Sequence, residues 1–183
     1  EAAVRASRLD WTIYQPSVIF GPEDKFLNMF ATLARFAPVL PVGGAEVKFQ
    51  PVWVEDVAAA FANTLDNPVS YHQSYPLAGP RVYTLRELVR FAAAASGHRR
   101  AVLALPEGVA RLQARLMELA PGEPLLSRDN LDSMKVDNVA PAGWKPAPEL
   151  GIGPASMEAE AALYLAGRHP RTHYDAMRSR AKR

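Results

Sequence analysis

The apolar positions of this chain switch repeatedly between a period of two and a period near 3.6, the pattern of strands alternating with helices. Residues 1–9 are helix formers with Val4 and Leu9 apolar, and read as the end of a helix whose start lies upstream. Trp11, Ile13 and Tyr14 predict a buried strand over residues 11–14, broken at Pro16 and resumed over 18–20 before the turn at Gly21 and Pro22. Phe26, Met29, Phe30, Leu33 and Phe36 recur at helical spacing and predict an amphipathic helix with this stripe in the core, stopped by Pro38. Residues 39–42 and 47–54 predict short extended pieces around a turn at Gly43 and Gly44. Glu55 and Asp56 then open a helix, where their charge complements the helix dipole, and Asp66, Asn67 and Pro68 end it.

Residues 71–77 predict a strand, and Gly79 with Pro80 a turn. Thr84 and Glu87 have capping-box spacing, so a helix begins at Leu85, and Gly97 terminates it. A short strand over 102–105, a helix from Pro106 to about Ala120 and a short helix over 125–134 follow, then a Pro/Gly-rich stretch over 140–153 and a last helix over 154–165. This order predicts an α/β portion over residues 1–102, a mainly helical lobe over 103–167 and a basic tail over 168–183.

Composition narrows the picture. The chain has 183 residues, 49% of them hydrophobic, enough for a real core. It lacks cysteine, which excludes disulfides and thiolate chemistry and fits a reducing, cytoplasmic compartment. Apolar runs are interrupted long before the roughly 20 residues of a membrane span. The net charge of +2 conceals an asymmetry: residues 168–183 carry six basic side chains against Asp175, giving a tail of +5 on a body of −3. That tail suggests at most a peripheral contact with an anionic membrane face. The body has no basic stripe interleaved with aromatics, so nucleic acid is not an expected partner. His169 and His173 are four apart, but Pro170 lies between them and no third ligand clusters there, so no metal site is expected. Ser17, Ser70 and Ser127 lack a Gly-x-Ser-x-Gly setting, so hydrolase chemistry is not expected either.

Three motifs in register, WTIYQPSVIFGPED, FQPVWVEDVAAAF and YPLAGPRVYTLREL, resemble the second half of the NAD(P)-dependent epimerase/dehydratase group of extended and atypical short-chain dehydrogenases/reductases. Their wording is similar to the branch that includes the 39-kilodalton accessory subunit of respiratory complex I and its bacterial relatives. The resemblance covers roughly residues 1–135. It implies the C-terminal part of a doubly wound Rossmann-like sheet plus a mainly helical substrate-side lobe. It also implies that the Gly-rich pyrophosphate turn and the Tyr-x-x-x-Lys pair lie upstream. VGGAEV lacks the dinucleotide spacing and reads as a turn, and none of the six tyrosines has Lys four residues later.

By resemblance, Pro16, Ser17 and Val18 border the nicotinamide end of an NAD or NADP bound by the full-length protein, with Gln15 where the family pattern has Arg. Gln50 borders the substrate cleft, where its amide would orient a polar ligand. This chain alone is expected to bind no dinucleotide and to carry no catalytic residue. Two functions follow as expectations: the substrate-side portion of an NAD(P)-dependent oxidoreductase or epimerase, or a non-catalytic accessory or assembly factor of complex I with a respiratory-chain protein partner. With its neighbour strand upstream, the strand at 11–14 is expected to self-associate through residues 10–20.

Overall fold

A computed structural model describes residues 1–119 and 127–167; the basic tail and the histidine pair at 169 and 173 lie outside the described residues. After a short helix α1 (Ala2–Arg5), β1 (Thr12–Pro16) and β2 (Ile19–Phe20) lead to helix α2 (Phe26–Phe36). Strands β3 (Val39–Gly43), β4 (Lys48–Phe49) and β5 (Val52–Trp53) precede α3 (Val54–Thr64), and β6 (Gln73–Leu77) and β7 (Tyr83–Thr84) precede α4 (Leu85–Ala95). Then come β8 (Ala101–Leu105), α5 (Glu107–Glu118), α6 (Arg128–Ser133) and α7 (Met157–Leu165).

Strand pairing is non-local. β1 runs parallel to β6, with Thr12 opposite Gln73 and Pro16 opposite Leu77, and β2 runs parallel to β5. β3 runs parallel to β8 with α4 in the intervening crossover, and β4 lies antiparallel to β7. Parallel neighbours require such crossovers, so the result is an open, Rossmann-like α/β arrangement with a largely helical region after β8. Pro16, Pro41 and Pro76 all sit in strands; proline cannot donate to a ladder, and each of these strands has one strand neighbour among the described residues.

The two extended pieces around Gly43 and Gly44 do not pair with each other. Gly44 takes a left-handed φ of 66° and accepts the Val47 N–H, which turns the chain so that β3 and β4 join different partners. The close approach is to Gly43, where an added Cβ would meet the Ala110 Cβ of α5 at 2.6 Å.

α4 begins as its sequence demands: Thr84 and Glu87 form a reciprocal capping box, and Leu85, Leu88, Val89, Ala92 and Ala93 are buried. In α2 the buried residues are Leu27, Ala31 and Ala34, while Phe26, Phe30 and Leu33 only border the core and Phe36 is 82% exposed. The helix packs against α4 on one side and faces a cavity on another, so the aromatic stripe is not its deepest face. Met157, Ala161 and Tyr164 of α7 join Phe20, Trp53, Tyr83 and Leu88 in one core cluster. The C-terminal helix therefore completes the core of the earlier α/β portion, and β8 itself spans the expected boundary at 102 and 103. Val52, Ala60, Tyr75, Leu77 and Leu150 make a second cluster beneath α3.

Candidate functional site

The β1 and β6 strands end side by side, and in open α/β sheets ligands bind in the crevice beyond the carboxyl ends of parallel strands. Here that position is a cleft of about 250 Å³, lined by residues 15–17, 76–78 and 138–141. Its third wall is an irregular segment held by backbone pairing: the Asn138 N–H donates to the Lys48 carbonyl at 2.8 Å, and the Lys48 N–H to Asp137 Oδ1 at 2.9 Å. The Trp144 indole N–H reaches the Pro76 carbonyl at 3.1 Å.

Ser17 is buried, and its N–H and hydroxyl are both bonded. Its N–H donates to the Leu77 carbonyl at 2.9 Å, its hydroxyl donates to the Asn138 carbonyl at 2.9 Å, and the same oxygen accepts the Gln50 N–H at 3.3 Å. Gln50 is the hinge of this arrangement. Its Nε2 donates to the Gly79 carbonyl at 2.8 Å, and its Oε1 accepts the Ala140 N–H at 3.0 Å. The two side chains together fasten residues 138–140 across the strand ends, satisfying backbone groups that no regular ladder reaches. Pro16 lines the cleft at the end of β1. Val18 packs against the core, and its carbonyl accepts the Val52 N–H at 3.0 Å.

The acidic pair at the start of α3 divides its work. Both residues lie in the first turn, and Asp56 Oδ2 also accepts the Ala155 N–H at 2.8 Å, fixing the approach to α7. Tyrosine hydroxyls secure the same C-terminal region: Tyr75 donates to Glu149 and Tyr83 to Glu158, each at 2.7 Å. Burial, then the Glu149 hydrogen bond, pushes the Tyr75 phenol up to about 12. Ser70 spends its hydroxyl on the Thr64 and Asn67 carbonyls, and Ser127 caps α6. Among the described residues no group of His, Asp and Glu is arranged to hold a metal ion, and no helix is long and apolar enough to cross a membrane.

A dinucleotide needs a glycine-rich strand-to-helix turn for its pyrophosphate. Among the described residues the Gly43–Gly44 pair leads into a turn and not a helix, so it does not fit that group. The strap from 137 to 140 carried no element signal in the sequence, only Ala140 falling at the start of the Pro/Gly-rich stretch over 140–153. Its one legible hint was a glutamine, Gln50, in an extended apolar segment.

No protein-family model matches the sequence. The mitochondrial NADH dehydrogenase [ubiquinone] 1 alpha subcomplex subunit 9 of Rattus norvegicus is 32% identical over 160 residues, 86% of this chain and 42% of that protein. The mitochondrial NADH-ubiquinone oxidoreductase 40 kDa subunit of Neurospora crassa is 27% identical over 175 residues, 96% of this chain and 46% of the relative. The chain thus spans a little under half the length of these curated relatives. Among solved structures, a nucleoside-diphosphate-sugar epimerase from Staphylococcus aureus superposes with a TM-score of 0.59 at 14% identity, covering 90% of this chain and 55% of that one. A dTDP-glucose 4,6-dehydratase from Bacillus anthracis, solved in complex with NAD, gives 0.56 at 16% identity, covering 90% and 46%. The chain thus shares the fold of these NAD-dependent epimerase/dehydratase structures. In sequence it is similar, over most of its own length, to these subunits of mitochondrial NADH dehydrogenase.

Proposed function

We propose that this chain is the substrate-side portion of a Rossmann-type protein that serves respiratory NADH:ubiquinone oxidoreductase as a non-catalytic accessory or assembly factor. The observation that carries this reading is the chemistry of the cleft. Its lining residues include no acid, no base and a single hydroxyl nucleophile, Ser17, whose oxygen is occupied by the Asn138 carbonyl and the Gln50 N–H. General acid-base or nucleophilic catalysis needs a free group within reach of a substrate, and these side chains hold the fold together instead. The names of the rat and Neurospora relatives supply the respiratory context. A nicotinamide bound by the full-length protein would meet this chain at Pro16, Ser17 and Val18, with Gln50 acting through the strap and not on the ligand.

The test is co-fractionation of the full-length protein with NADH:ubiquinone oxidoreductase from detergent-solubilised respiratory membranes, together with the level of assembled complex in a deletion strain. Comigration and reduced assembly are expected. Migration as a free protein that turns over NAD(P)H would overturn the reading. It would favour the second one, an NAD(P)-dependent oxidoreductase or epimerase, which draws its support from the placement of residues 15–17 and 76–78 at the carboxyl ends of a parallel strand pair.

A further inference from the structure

We draw no further inference here: the strongest candidate, the exposed apolar stripe of Val109, Leu112, Leu116 and Leu119 along α5, carries none, because nothing in the structure shows what covers it and its last residue adjoins residues outside the described ones.

Discussion

Tyr164 donates its hydroxyl hydrogen bond to Asp24 Oδ2 at 2.7 Å, joining residues 140 positions apart in sequence. The same carboxylate accepts the Gly21 N–H at 3.3 Å and the Leu27 N–H at 2.5 Å, so one side chain both organises the start of α2 and anchors α7. Burial, reinforced by the Asp24 charge, holds the Tyr164 phenol far above its ordinary range and keeps it a donor. Tyr164→Phe retains the ring stacked on Trp53 and removes only the hydroxyl. The expected loss is about 2 kcal/mol, read as a lower urea midpoint with an unchanged slope. A variant within about 0.5 kcal/mol of the parent would show that the bond contributes little.

Stability should fall in alkali in a defined window. Tyr75 titrates at 10.0 in its ordinary state and at about 12 when folded, because burial and the Glu149 hydrogen bond favour the neutral phenol. Tyr83 is raised by burial and by Glu158 in the same direction. A folded value above the unfolded one means that the folded state binds more protons, so the contribution is complete below pH 10.0 and is lost as pH rises through about 12. Denaturation midpoints measured across that range should decline, and Tyr75→Phe should flatten part of the decline.

Gly79 occupies a place where only hydrogen fits. An added Cβ would lie 2.0 Å from the Pro51 carbonyl oxygen, in a segment where the Gly79 N–H bonds Gln50 and its carbonyl accepts the Gln50 amide. Because the obstacle is backbone, Gly79→Ala should cost roughly 1–3 kcal/mol and loosen the strap over 138–140. Gly108, in the first turn of α5 with nothing near its Cβ position, is the control. There Gly→Ala should gain about 0.4–1 kcal/mol by restricting the unfolded chain. Scanning calorimetry on both variants checks the sign of each.

Among the described residues β1 pairs with β6 alone. Ile13 and Tyr14 are half-buried β-formers, and no lysine blunts this strand's other edge. The isolated chain is expected to associate with a second copy through residues 10–20, and Ile13→Lys is expected to shift it toward monomer. Sedimentation velocity decides this: a monomer at about tens of micromolar, with β1 amides protected from exchange, would rule the association out.

Calorimetric titration with NADH or NADPH at about millimolar concentration should show no appreciable binding to this chain alone, since no glycine-rich turn in it suits a pyrophosphate. A low-micromolar dissociation constant would place a complete dinucleotide site within it.

What the sequence determined by itself is whatever depends on neighbours a few residues apart. Thr84 and Glu87 fix the start of α4 because a capping box closes within one helical turn, and Pro38 and Gly97 end helices through their own backbone preferences. The motif order around residues 11–24, 49–61 and 75–88 carried the α/β class and the resemblance to the mitochondrial NADH dehydrogenase subunits. What only the tertiary structure decided was where the local pieces meet. Phe36 and Phe30 share one stripe, yet Phe36 is exposed and Phe30 faces a cavity, because α4, β3 and α5 determine which part of α2 is covered. The sequence marked Ser17 and Gln50 as polar residues beside a cleft. Their hydroxyl and amide also bond a segment some 90 to 121 positions further along that belongs to no strand of its own. Buried hydrogen-bond demand is a property of the folded neighbourhood, and no local spacing encodes it.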